Sequence, residues 1–265
     1  MRSLTAKLIV SCVSLVVVGL ILTGVSNAKI DPKTCVGVWL FDEGKGDIAK
    51  DSSGNGNNGT LEKSPKWVQG EFDKALEFSG TSYVKVPKSE SLKLSDTDFT
   101  IVVWAKSYTA NVWKPFVNKY QAGGTDTMVL GAIRDTNNIT LAFYNDDLNV
   151  AYTPKLNTWE HYAFTFDSKA KKREIFVNGN SVGSDTAGGL PAGSDDQDIE
   201  IGSMIYANLY YSGIIDDVAI FSAVLTQDDI GNIMNNGIGK ATGLTPVSPK
   251  GLLATVWGEI RKNAR

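Results

Sequence analysis

The sequence predicts an all-β sandwich, and three observations carry that reading. Short apolar and aromatic runs recur with turn residues between them, the cadence of a sandwich. "NGN" at 178–180 marks a hairpin, because Asn and Gly tolerate the positive φ that a tight turn needs. Beyond residue 28 the only cysteine is Cys35, so no intrachain disulfide can form there and a core must hold the fold.

The expected strands follow in order. They are "VGVWLF" (36–41), "ALEF" (75–78), "SYVKV" (82–86), "FTIVVWAK" (99–106) and "TMVLGAI" (127–133). Then come "ITLAFY" (139–144), "WEHYAFTF" (159–166), "REIFVNG" (173–179), "DIEIG" (198–202) and "IIDDVAIF" (214–221). Alternation along them is imperfect, which suits central strands covered on both faces. One short helix is expected late. Thr226 and Asp229 form a capping box, Ile230, Ile233 and Met234 share a face, and Gly237 closes the end.

The ends read differently from the middle. Arg2 and Lys7, a long apolar run and "SNA" describe an export signal cut after Ala28, or an uncleaved anchor. Residues 240–249 read as a linker. The tail beyond it gathers Leu252, Leu253, Val256, Trp257 and Ile260 on one helical face, as a frayed end, a docking peptide or an export signal. The expected division is therefore 1–28, a domain over 29–239, and 240–265. Residues 1–28 carry two basic residues and no acid, so the chain's 26 basic and 29 acidic residues become 24 and 29, a net charge of −5. With no basic block in the body, nucleic acid is not an expected partner. Signal cleavage would leave no membrane span.

"DSSGNGNNGT" (51–60) poses a question of its own, since Gly-rich loops cradle phosphate, hold calcium or turn the chain. A phosphate cradle needs a strand before it, a helix after it and a Lys-Ser/Thr pair. An EF-hand needs alternating acids before its closing Glu, and those are absent before Glu62. The stretch reads as a turn.

Five stretches together resemble the concanavalin A-like, laminin-G-like family of bacterial secreted proteins. They are "GVWLFDEGKGDIAKDSSGNGNNGTL", "GEFDKALEFSGTSYVKVP", "DFTIVVWAK", "NTWEHYAFTFDSKAKKREIFVNGNSVG" and "GIIDDVAIFSAVLTQDDI", spanning about 35–236. The resemblance implies a jelly-roll sandwich of two antiparallel sheets. It is specific for fold and not for function.

The resemblance also implies a structural calcium where the first and last strands meet. Asp42 and Glu43 in "DEG", the carbonyl of Gly80 and Asp216 in "IDDVAIF" match its contributors. Calcium takes oxygen ligands of these kinds. A glycan site needs exposed aromatic faces with polar groups for the hydroxyls. Tyr206, Tyr210 and Tyr211 in "MIYANLYYSG" and Trp113 stand in expected loops, with Asn145, Asp146 and Asp147 in a polar turn. Trp39, Trp104 and Trp159 fall inside strand motifs and are expected in the core.

Catalysis finds little support. Glu71, Asp73 and Glu77 would share a face on one strand, but Glu71 and Glu77 would stand roughly 20 Å apart. A retaining glycosidase needs its carboxylates about 5–5.5 Å apart. His161 is the sole histidine, without a nucleophile elbow, which excludes multi-histidine zinc sites and leaves no triad. The expectation is an exported, non-catalytic domain that binds extracellular glycan, with a structural calcium. The alternative is a cell-surface protein-interaction or adhesion domain. A glycoside hydrolase comes third.

Overall fold

The computed structural model describes residues 30–110, 112–120, 128–134, 137–143, 145–191 and 195–244. The expected export signal and the amphipathic tail lie outside these residues. Among the described residues no helix is long and apolar enough to cross a membrane.

Two antiparallel sheets face each other. One runs Asn180–Thr186, Lys172–Val177, Trp159–Asp167, Phe99–Ser107, Ser212–Phe221, Lys74–Ser79 and Lys66–Gln69 in spatial order. Cys35–Trp39 also pairs with Ser212–Phe221. The other runs Asp146–Ala151, Asn138–Phe143, Met128–Ile133, Lys114–Tyr120, Ile199–Ile201, Tyr83–Val86, Gly59–Glu62 and Ile48–Ala49. All ten expected strands are present, which makes this the jelly roll that the sequence predicts.

Between the sheets lies the main core, built on Trp39, Phe78, Phe99, Phe116, Tyr162, Phe164, Phe166 and Tyr211. A second core explains the imperfect alternation. The outer face of the first sheet presents Val102, Ala163, Phe176 and Ala219 to Ile230, Ile233, Ile238 and Ala241. Those four come from two short helices, Gln227–Asn236 and Ile238–Thr242. We call this the helix-backed sheet and the other the open sheet. The capping box forms as expected, with Thr226 Oγ1 accepting from Asp229 N and Asp229 Oδ2 from Thr226 N. The second helix was not expected. It buries Ile238 and Ala241, so the domain extends past residue 239 to at least Thr242.

Residues 51–58 form a turn, and Gly59 and Thr60 already belong to the Gly59–Glu62 strand. Asp51 Oδ1 accepts from Val38 N and Ser53 N, and its Oδ2 accepts from Asn57 N, each at 2.9 Å. Gly54 and Gly56 take φ +92° and +78°. His161 is fully buried, edge-on to Trp104 at 5.3 Å, and burial pushes its pKa down to about 3. Glu71 and Asp73 precede the Lys74–Ser79 strand, so only Glu77 of the three acids is on it.

Candidate functional site

The outer face of the open sheet is the candidate site. Outward residues of neighbouring strands align in register: Thr60, Lys85, Glu200 and Asn118 form one row. Ala132, Thr140 and Asn149 form part of another. Ala132 and Ala142 are small and fully buried, and the Trp113 ring packs over them with Met204. The Arg134 guanidinium carbon stands 4.4 Å from the Trp113 ring centre. Arg134 Nη1 donates to Asn149 Oδ1 at 2.9 Å and to Asp147 Oδ2 at 3.2 Å. Burial outweighs this arginine at Asp147 and raises its pKa.

Several polar atoms on this face are buried yet lack a hydrogen-bond partner among the described residues. They are Arg134 Nε, Asp147 Oδ1, Asn118 Oδ1 and Thr140 Oγ1. Buried polar atoms are ordinarily paired, so such a concentration calls for an explanation. Glu200 sits beside them, with Oε2 accepting from Ile205 N, Ser203 Oγ and Asn118 Nδ2.

A second aromatic group stands along the same face. Tyr83 and Tyr210 lie 6.3 Å apart, and Lys63 Nζ is 5.0 Å from the Tyr210 ring centre. Tyr206 is 62% exposed on the turn of a small hairpin, Ser203–Met204 against Leu209–Tyr210. The expected loop is therefore an ordered hairpin. Trp113 and Tyr210 are half-buried and Tyr206 is exposed. Tyr211 is instead fully buried, edge-on to Phe78, with its hydroxyl bonded to Ser107 Oγ at 3.0 Å. Alternation along an extended chain turns Tyr211 inward when Tyr210 points outward.

The expected calcium ligands separate into three places. Asp42 and Asp217 line one cleft of about 500 Å³, beside Phe72 and Gly237. Asp216 is its buried neighbour, on a bulge where Asp217 takes φ +42°. Here the flanking partner of Ser212–Phe221 changes from Lys74–Ser79, which reaches Ile215, to Cys35–Trp39, which begins opposite Val218. Asp42 Oδ1 accepts from Lys74 N, Asp217 Oδ2 from Ile238 N, and Asp216 uses both oxygens on Phe72 N and Asp217 N. Burial, with the nearby Asp73 and Glu43 charges, pushes Asp42 up to about 6, and burial with like charge from their acidic neighbours raises Asp216 and Asp217 strongly.

Gly80 is not part of this group. Its N–H bonds to Tyr211 O, five residues before Asp216, which is roughly 17 Å along a strand. Glu43 turns to a separate cleft with Lys45, Asp47 and Lys50, and its Oε1 accepts from Lys50 N. Among the described residues no three His, Cys, Asp or Glu side chains are grouped to hold a metal ion. Sequence reasoning missed Asp217 by choosing only the first acid of "IDDVAIF". It missed Asn118 because the Lys114–Tyr120 strand was not recognised, and Thr140 and Arg134, on and just after expected strands, because which face each side chain takes was not read.

The sequence profile of the concanavalin A-like lectin/glucanases superfamily matches residues 78–231. The chain belongs to this superfamily. No curated protein sequence matches it. Among solved structures, domain 4 of AbnA, a GH43 extracellular arabinanase from Geobacillus stearothermophilus determined with arabinotriose, has a TM-score of 0.58 at 16% identity. That likeness covers 76% of this chain and 98% of the domain. The binding domain of Paraclostridial Mosquitocidal Protein 1 gives 0.59 at 18% identity, over 77% of this chain and 52% of that one. A Trypanosoma rangeli sialidase gives 0.60 at 12%, over 76% and 32%. This lectin-like chain thus spans about half the length of the toxin domain. At such identities these likenesses show the fold alone.

Proposed function

We propose that this chain is a non-catalytic glycan-binding domain that acts outside the cell. Its binding face is the outer surface of the open sheet around Trp113. One observation carries the reading: among the described residues, the half-buried Trp113 ring shares a sheet face with the part-exposed side chains of Arg134 and Asp147 and with exposed Asn149. A sugar offers what such a face can bind, hydroxyls for the polar side chains and a C–H face for the ring. The arabinotriose bound to the AbnA domain supports the ligand class. Export through residues 1–28 belongs to the same reading.

A calcium ion fits this proposal at Asp42 and Asp217. Each carboxylate spends one oxygen on a backbone N–H, both line one cleft, and both are raised in pKa. A hard divalent cation would offset the repulsion among these acids and join the strands that meet there.

The test is a broad glycan and polysaccharide array, probed with the wild type and Trp113→Ala in calcium and in EDTA. Saturable binding that Trp113→Ala weakens is expected. Absence of binding in both buffers would overturn the reading and turn the search to protein partners.

A further inference from the structure

The helices back only part of their sheet. One outward row takes no part in that second core: Lys66, Glu77, Ile214, Lys106 and Trp159, directly paired across five neighbouring strands, with Ile214 itself buried. The flanking residues Leu76, Phe78, Ala105 and Ile215 point into the main core, so the row itself faces away from it. Lys106 Nζ lies 4.9 Å from the Trp159 ring centre. Trp159, expected in the core, is only half-buried here.

At one end of the row is a cleft of about 310 Å³, lined by Ser64, Lys66, Glu77, Ser79, Tyr108 and Ser212. Tyr108 donates its hydroxyl to Glu77 Oε1 at 2.7 Å, which fixes both side chains. The cleft therefore presents a positioned carboxylate, a phenol ring, an ammonium group and three hydroxyls. Its volume is at the low end of small-molecule sites, the scale of one sugar ring. The row from Lys66 to Trp159 crosses four strand gaps, about 19 Å, which suits a short chain of such rings. The row carries two lysines against one carboxylate, too few cations to hold a polyanion by charge.

We propose that this row and cleft form a second carbohydrate site, on the sheet opposite Trp113. One sugar residue sits in the cleft, its hydroxyls donating to the Glu77 carboxylate and accepting from Lys66. The next residues run along the row towards Trp159. The inference rests on the glycan-binding reading and extends it. Two sites on opposite faces of a sandwich engage two glycan strands, so the domain would cross-link polysaccharide as well as bind it.

The experiment is calorimetric titration of the full chain with arabinotriose, xylotriose, cellotriose and maltotriose, taking stoichiometry as the readout. Two sites per chain are expected for at least one trisaccharide. Glu77→Gln and Tyr108→Phe should each remove one site and leave the other. Trp113→Ala should remove the opposite site, and Trp113→Ala with Glu77→Gln should remove both. Both single back-face changes are close in shape to the native residues, and retained front-site binding reports that the variant is folded. One site that Trp113→Ala abolishes and Glu77→Gln leaves intact would overturn the second site alone. Failure of all four sugars with the wild type would overturn this inference and the reading it rests on.

Discussion

Asp216 Oδ2 accepts the backbone N–H of Phe72 at 3.0 Å, joining residues 144 positions apart in the sequence. The bond fastens the turn before Lys74–Ser79 to the central Ser212–Phe221 strand, and Phe72 then packs edge-on against Trp104. Gly70 makes this approach possible. A Cβ at residue 70 would stand 2.5 Å from Asp216 Oδ2 and 2.8 Å from Lys74 O. Gly70→Ala should therefore destabilise the fold by about 1–3 kcal/mol, the usual cost of overpacking. Chemical denaturation of the two proteins measures it. Equal midpoints would show that the turn is loose.

The acids around that bond set a pH dependence. Asp42, Asp216 and Asp217 are raised above the ordinary carboxylate range, so the folded state holds protons that the unfolded state has released. Stability then falls as pH rises past the unfolded values. His161 has the opposite sign. Its folded pKa of about 3 costs stability in acid, below its ordinary 6.5. Lys114 and Lys119, lowered to about 8 by burial, make stability rise with pH above that value. Between pH 6.5 and 8 the carboxylates act with least interference. In EDTA, the Tm should fall across this window, and Asp217→Asn should flatten the fall. Millimolar calcium should raise the Tm more at pH 8 than at pH 6.5. A Tm that rises with pH in EDTA would contradict the charge assignment.

The sequence revealed the strands whose residues are apolar on both faces, because burial leaves a continuous Val, Ile, Leu and Phe record. Phe99–Ser107 and Ser212–Phe221 are of this kind. It hid Lys114–Tyr120, whose lysines, proline and asparagine read as a loop, yet Lys114, Asn118 and Lys119 are all buried. That omission removed part of the candidate face from view. Family resemblance pointed from Asp42 to Asp216, whereas the cleft brings Asp42 to its neighbour Asp217, 175 positions away, because the strand crossings and the bulge set which acid faces it. Gly80 was misplaced because a motif gives chain order and not the distance along the strand.

Tyr210 and Tyr211 separate packing from recognition in adjacent residues. Tyr211→Ala removes a fully buried ring between Phe78 and Phe116 and should cost about 3–5 kcal/mol. Tyr211→Phe loses only the hydroxyl bond to Ser107, about 1 kcal/mol. Neither should alter the glycan affinity of the folded fraction. Tyr210→Ala should leave the Tm within a few degrees. Thermal unfolding of the three variants decides the matter, and a Tyr211→Ala protein as stable as wild type would contradict the packing.

Trp113 supplies the sharpest test of the front face. Its ring packs against Ala132 and Ala142, and its loss should cost little stability because it is outside the main core. Binding should suffer more. Aromatic contacts of this kind contribute about 0.5–1.5 kcal/mol beyond the area they bury. Adding the lost area, Trp113→Ala should raise the glycan Kd by about tenfold or more, each tenfold being about 1.4 kcal/mol. Trp113→Phe should recover part of that loss by restoring a smaller flat face. Arg134→Ala should weaken binding as well, since the guanidinium braces the ring and also holds Asp147 and Asn149. Titration of each variant with the glycan that binds wild type gives the comparison. Unchanged affinity in Trp113→Ala would remove this face from the mechanism.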